Sequence, residues 1–224
     1  MTVRAAGVDT VVLDIDGTLL DSTYHHTLAW QRALRRYGYD VPCARIHPQI
    51  GLGGDRLVAA AAGDDAELRH GDEIRSAWEE EYDGMLDEPD LLPGARELLD
   101  ALRDRGVHVV LASSAIPRHA ERAFRLLDAE HSVDAATTAD DAEESKPDPE
   151  LLEAAIARVR GTSSVLVGDS VWDVQAARRA GIPTISVLSG GVPEDLLRAA
   201  GAAWVFEDPA DLLAHLDEVI APVR

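Results

Sequence analysis

The 224-residue sequence predicts an α/β fold, a parallel sheet with helices on both faces and an all-helical segment inserted after the first strand. Three observations predict it. From about residue 93 short apolar runs alternate with helical patterns, the signature of strand-helix-strand crossovers. An isolated apolar run, Val8 to Asp14, stands well upstream as a first strand. Residues 21 to about 91 carry helical periodicity only.

The elements follow in order. In the inserted segment, helices are expected at Tyr24 to Tyr37, Arg56 to Ala62 and Asp65 to Met85, closed by Asp87-Glu88-Pro89-Asp90, which reads as a hinge or linker. Pro93 to Arg105 is helical, with Ala95, Leu98, Leu99 and Leu102 spaced for one face and Gly106 as its stop. A strand at Val107 to Ala112, a helix at Pro117 to Leu127 and a weak strand at Val133 to Thr137 come next. A helix at Asp148 to Arg158, opened by Pro147 and Pro149, precedes the strand Ser164 to Gly168. Val171 to Ala180 is helical, Thr184 to Leu188 a strand, and a short helix starts at Glu194. A strand at Ala203 to Phe206 and a last helix from Pro209 complete the alternation. Right-handed crossovers then give a Rossmann-like core of residues 1–20 and 92–224, with 21–91 as an α-helical cap. In such sheets ligands bind at the carboxyl ends of the strands.

Composition narrows the function. Lys plus Arg is 21 against 41 for Asp plus Glu, a formal charge of −20 that argues against nucleic acid and anionic membranes as partners. No apolar run approaches the roughly 20 residues of a membrane span. Cys43 is alone, so neither an internal disulfide nor a thiolate zinc cluster is available, which fits a reducing, cytoplasmic setting. The chain is expected to work as a monomer or homodimer. No Walker A, G-x-S-x-G or H-E-x-x-H pattern occurs.

Four strand ends carry chemistry. Asp14-Ile15-Asp16-Gly17-Thr18 leaves the first strand, and acids at i and i+2 project to one side. Ser113 and Ser114 follow the strand ending at Ala112. Lys146, the only lysine of a chain with 21 basic residues, stands before Pro147. Asp169 follows Val165-Leu166-Val167-Gly168, with Asp173 at the start of the next helix. Carboxylates converging in one crevice need a cation between them, and hard oxygen donors suit Mg²⁺. A metal, a lysine and a hydroxyl together trap a phosphoryl group, leaving a carboxylate to attack phosphorus and another to move protons.

These residues resemble the four motifs of the haloacid dehalogenase superfamily, in its phosphoglycolate phosphatase and β-phosphoglucomutase-like branch with a small helical cap. Asp14-x-Asp16-Gly17-Thr18-Leu19-x-Asp21-Ser22 is similar to the first, Ser113 to the second, Lys146-Pro147 to the third and Gly168-Asp169-Ser170-x-x-Asp173 to the fourth. The resemblance spans about residues 8 to 190. It implies a Mg²⁺-dependent phosphatase acting on a small phosphorylated metabolite, of phosphoglycolate or sugar phosphate type, through an aspartyl phosphate. Asp14 would be nucleophile and metal ligand, and Asp16 the general acid/base that also offers its backbone carbonyl to the metal. Asp169 would bind the metal directly and Asp173 orient its water, while Ser113, the Ser114 N–H and Lys146 hold the phosphoryl oxygens. An acid at Asp16 favours phosphate chemistry over dehalogenation, whose leaving group needs no proton.

Two alternatives stand beside this reading: a β-phosphoglucomutase-like mutase and a non-catalytic phosphate-metabolite binding protein. The Tyr24-His25-His26-Thr27-Leu28-Ala29-Trp30 stretch is similar to the cap entrance of both mutases and phosphatases. His26, Gly53 and Gly54 are the cap candidates for substrate contact. Gly54 falls where the mutase would carry Arg, which favours the phosphatase. Trp30 and Trp78 read as apolar anchors of the cap, and Glu79-Glu80-Glu81 as a solvated helix face.

Overall fold

Thr10–Leu13 (β1) is short, has three β-branched residues and is buried at every position, the composition of a strand covered on both faces. The computed structural model describes residues 7–220, so the outer ends of the expected core, residues 1–6 and 221–224, lie outside the described residues. After β1 come the helices Thr23–Arg36 (α1), Cys43–Ile46 (α2), Gly54–Ala62 (α3) and Asp64–Asp83 (α4). Alternation then begins with Ala95–Asp104 (α5), His108–Ala112 (β2), Pro117–Leu127 (α6), Ala129–Ser132 (α7) and Ala135–Thr137 (β3). It continues through Glu150–Ala157 (α8), Ser164–Gly168 (β4), Val171–Ala180 (α9), Thr184–Val187 (β5) and Glu194–Ala200 (α10). Trp204–Phe206 (β6), Pro209–Ala214 (α11) and Leu216–Val219 (α12) close the described chain.

The six strands lie in the order β3-β2-β1-β4-β5-β6, every pair parallel. Connections run one way from β1 to β3 and the other way from β4 to β6. The crevice of a doubly wound sheet therefore opens at the carboxyl ends of β1 and β4. Successive side chains serve opposite faces. Val11, Leu13, Val109, Leu111, Val165 and Val167 share a core with Leu98, Leu99 and Leu102 of α5 and Leu212 of α11. Val12, Val110 and Leu166 join Leu152 and Ala155 of α8 and Ala177 of α9 on the other face.

Differences from the sequence reading are local. Besides the first two residues of the expected strand, Asp14 also stands outside β1, although its N–H still donates to the Val167 carbonyl at 2.9 Å. The expected last helix breaks into α11 and α12 around His215. The pieces that were not expected, α2, α7 and the single 3₁₀ turns His47–Gln49 and Ala139–Asp141, are too short to establish a hydrophobic period.

Helices α1, α3 and α4 pack around a hydrophobic cluster of their own that includes Trp30, Leu34, Ile46, Leu57 and Ile74. The chain leaves the sheet and returns to it side by side: the Leu92 N–H donates to the Leu19 carbonyl and the Asp21 N–H to the Asp90 carbonyl, both at 2.9 Å. Among the described residues no helix is long and apolar enough to cross a membrane.

Candidate active site

β1 delivers Asp14 and β4 delivers Asp169 to the same edge of the sheet, where both are buried, at 5% and 3% exposure. Gly17 turns the chain after β1 with a φ of +78°, and a Cβ there would lie 2.5 Å from the Asp169 carboxylate. Both the turn and the close approach require glycine. Thr18 Oγ donates to Asp169 Oδ1 at 3.1 Å. Asp173 is fully buried in the first turn of α9, whose N-terminus it helps to cap. Its Oδ2 accepts from the Ser170 N–H at 3.0 Å, and its own N–H donates to Ser170 Oγ at 3.2 Å. That leaves Asp173 Oδ1 turned toward Lys146, whose Nζ is 2.7 Å away and also 2.8 Å from Asp14 Oδ1. The long side chain of Lys146, from the loop before α8, is buried to 5% exposure between the two acids.

Carboxylate oxygens of Asp14, Asp169 and Asp173 lie within 4.8 Å of one another. One ammonium cannot balance three buried carboxylates. Burial, reinforced by Asp173 and Asp16 and opposed by Lys146, pushes the Asp14 carboxyl up to about 7. Burial and the neighbouring Asp173 and Asp14 drive Asp169 well above the ordinary carboxylate range. Lys146 is held above its usual value despite burial, because Asp14 and Asp173 favour its charge. The surplus of buried negative charge on hard oxygen donors fits a divalent cation, and these three residues could hold one.

Asp16 is not part of that carboxylate group. Its side chain turns toward α1, where Ser22 Oγ donates to Oδ1 at 2.5 Å and His26 Nε2 lies 3.2 Å from the same atom. Burial would raise the Asp16 carboxyl, but His26 and Ser22 outweigh it and hold it below the usual range. The His26 ring stacks on Tyr82 with centroids 3.9 Å apart, which fixes its plane. Ser113 is buried, and its Oγ accepts from the Ala115 N–H at 3.1 Å. Ser114 Oγ is buried without a hydrogen-bond partner. Neither serine caps α6, which begins after Ile116 with Pro117 in its first turn.

A cavity of about 300 Å³ opens on these groups and is lined by Asp14, Asp16, Ser114, Lys146 and Asp169 from the core. His26, Gly53 and Gly54 line it from the helical segment. Gly53 packs closely against the lysine loop. A Cβ at Gly53 would collide with the Ser145 side chain, one residue before Lys146. Gly53→Ala is therefore expected to lower kcat/KM by about 10- to 100-fold through displacement of bound substrate from Lys146. Steady-state kinetics beside a urea melt would check this, since an equal loss of stability would point to misfolding. At Gly54 a Cβ would stand 3.2 Å from Arg75 and 3.4 Å from Trp30, so the space a longer side chain would need is already filled.

Several contributors escaped the sequence reading. Ser22 and Tyr82 act through Asp16 and His26, and Thr18 through Asp169. Gly190 after β5 presses so closely on Asp169 that any Cβ would collide with it. The places of Thr18 and Ser22 within the first motif were the local signals. Trp78 and Glu79, expected as an anchor and a solvated acid, both line the cavity. Trp78 also remains an apolar neighbour of the α1, α3 and α4 cluster.

Known proteins resemble this chain in sequence and in fold. The phosphoglycolate phosphatase of Nitrosospira multiformis is 33% identical over 185 residues, 78% of this chain and 80% of its own length. The validoxylamine A 7'-phosphate phosphatase of Streptomyces hygroscopicus subsp. limoneus is 28% identical over 204 residues, 84% of this chain and 89% of its own. The crystal structure of a hydrolase from Pseudomonas syringae superimposes with a TM-score of 0.89 at 32% identity, covering 95% of this chain and 99% of that one. Residues 8–181, which hold Asp14, Lys146, Asp169 and Asp173, match the haloacid dehalogenase-like hydrolase family, and the chain belongs to it.

Proposed function

We propose that this hydrolase is a magnesium-dependent phosphatase that transfers the phosphoryl group of a small phosphomonoester to Asp14 and then to water. The observation that carries this reading is Lys146, the chain's only lysine, wedged between Asp14 and Asp173 and lining one cavity together with Asp14 and Asp169. Asp14, Asp169 and Asp173 would hold the Mg²⁺, with the backbone carbonyl of Asp16 as a further donor. When bound, the ion neutralises charge on the phosphoryl oxygens and on the attacking carboxylate.

A carboxylate oxygen of Asp14 attacks phosphorus, and the bond from phosphorus to the ester oxygen breaks. Asp16, held in its charged form by His26 and Ser22 in the free protein, takes up a proton from solvent as the anionic ester binds beside it and gives that proton to the departing oxygen. It then takes a proton from water as the water oxygen bonds to phosphorus and the Asp14–phosphorus linkage opens. Lys146 and the backbone N–H of Ser114 hold the phosphoryl oxygens, and the Ser113 hydroxyl, whose oxygen accepts from the Ala115 N–H, donates its proton to the same group. His26 and Ser22 keep Asp16 aimed at the leaving oxygen. Residues 21–91 act as a cap hinged where residues 19–21 run beside 90–92, closing over the substrate to exclude water. A cavity of about 300 Å³ suits a small phosphorylated metabolite.

The test is phosphate release from a panel of small phosphoesters with Mg²⁺ and with EDTA. Release that requires Mg²⁺ is expected. Tight Mg²⁺-dependent ester binding without turnover would replace the enzyme with a binding protein. Isomerisation of β-glucose 1-phosphate without release would replace the phosphatase with a mutase.

A further inference from the structure

Two rings of the helical segment stack on His26, the neighbour of Asp16: Tyr82 with centroids 3.9 Å apart and Trp78 at 5.7 Å. One residue of the core meets both. His119, in the first turn of α6, makes T-shaped contacts with Tyr82 at 4.8 Å and with Trp78 at 5.6 Å. The rings of the helical segment are thus held between two residues of the core, Asp16 on one side and His119 on the other.

His119 is itself fixed. Its side chain is 2% exposed, and Nε2 lies 2.8 Å from Asp83 Oδ1 at the end of α4. Arg118 braces the same carboxylate, Nε donating to Oδ1 at 3.1 Å and Nη2 to Oδ2 at 3.0 Å. Burial would raise the Asp83 carboxyl, but hydrogen bonds from Arg118 and His119 hold it below the usual range, so it accepts from an Nε2–H. The other ring nitrogen, Nδ1, is buried without a hydrogen-bond partner. A leucine or phenylalanine would fill this place and leave no buried polar atom unpaired. What an imidazole bonded to a carboxylate offers instead is a ring with a set plane.

Asp16 has need of such a brace. It lines the catalytic cavity and also a second cavity of about 10 Å³, shared with Ser113, Tyr82 and His119. Close packing holds a side chain in place, and beside open space that task falls to its hydrogen bonds. The contacts of Asp16 with Ser22 and His26 both fall on Oδ1, so the direction of the carboxyl follows the plane of the His26 ring. Resting on the phosphatase reading above, we propose that the Asp83–His119 pair is a positioning element for proton transfer. It sets Tyr82 and Trp78, through them the His26 ring, and so aims the Asp16 carboxyl at the leaving oxygen.

The test separates an aimed acid from a bound ester. An alkyl phosphate needs a proton on its departing oxygen, whereas p-nitrophenolate leaves without one. The experiment compares kcat/KM, which reports the steps through loss of the first product, for p-nitrophenyl phosphate and for the most active alkyl phosphate of the panel. His119→Ala is expected to lower it by about 10-fold for the alkyl ester and by less than about 2-fold for the aryl ester. Asp83 is half-exposed, so Asp83→Ala serves should His119→Ala fail to fold, and the same selective loss is expected of it. Asp83→Asn, whose amide oxygen still accepts from the Nε2–H, is expected to stay within about 3-fold of the wild type on both esters. An equal fall for the two esters would make the pair a structural contact and overturn the proposal. So would an undiminished alkyl ester, or an Asp83→Asn as impaired as Asp83→Ala. Hydrolysis of the aryl ester alone by the wild type would leave no acid to aim, overturning this inference while the phosphatase stands. Absence of phosphate release from every ester overturns the phosphatase reading, and this inference with it.

Discussion

Asp14→Asn is expected to abolish turnover of every phosphomonoester, by roughly 10⁴-fold or more, while leaving the protein folded. The amide has the shape of the carboxyl but no charge with which to attack phosphorus, and among the described residues no other acid both pairs with Lys146 and lines the cavity. Asp173 faces the ammonium with one oxygen, but its other oxygen caps α9 through the Ser170 N–H and Oγ. The substitution removes one of three crowded buried carboxylates, so the Tm measured in EDTA should be no lower than that of the wild type. Phosphate release at a rate within a few-fold of wild type would assign the nucleophile to another residue. A large drop in Tm would instead make Asp14 a structural partner of Lys146.

Lys146→Met is the second large effect, and it separates two jobs of one side chain. Catalytically, the phosphoryl oxygens lose their only protein-borne ammonium, for an expected drop in kcat of about 10³-fold. Structurally, breaking a buried ion pair by removing one partner costs about 3 to 5 kcal/mol, because the remaining charge is left uncompensated. Here two acids lose their partner together, Asp14 at 2.8 Å and Asp173 at 2.7 Å. Urea melts in EDTA and in Mg²⁺ would read the second effect. Mg²⁺ should restore more stability to the variant than it adds to the wild type, because three carboxylates then have no other cation. Wild-type activity, or a Tm that ignores Mg²⁺ in both proteins, would contradict the placement of the metal and the lysine in one site.

Much of this centre is legible in the sequence because its parts are local. Val11, Val12 and Leu13 announce a buried strand by composition, and Asp14 follows at its carboxyl end. Val165, Leu166 and Val167 do the same for Asp169. Lys146 draws notice because it is the only lysine of the chain. The stripe Ala95, Leu98, Leu99 and Leu102 is equally plain, and all four are buried as one helical face. Each of these signals lies within a few residues of chain, where strand and helix periodicity decide which way a side chain points.

The tertiary structure decided what those residues meet. Asp14 and Asp16 leave the strand two residues apart, yet their carboxyls part company: one joins Lys146, from a distant loop, and the other joins Ser22 and His26 of the helical segment. No local pattern shows that Gly190 must lack a side chain to clear Asp169, because that contact is made only when β4 and β5 pair. In Glu79-Glu80-Glu81, composition makes all three look solvated. Successive helix residues are turned by about 100°, so only packing of α4 could decide that Glu79 faces the cavity while Glu81 pairs with Arg36. By itself, then, the sequence determined the strands, the longer helices and which residues stand at the strand ends, since these depend on neighbours in the chain. Which carboxylates share Lys146, and what lines the cavity around the leaving group, depend on contacts between segments far apart in sequence, and only the folded chain decides them.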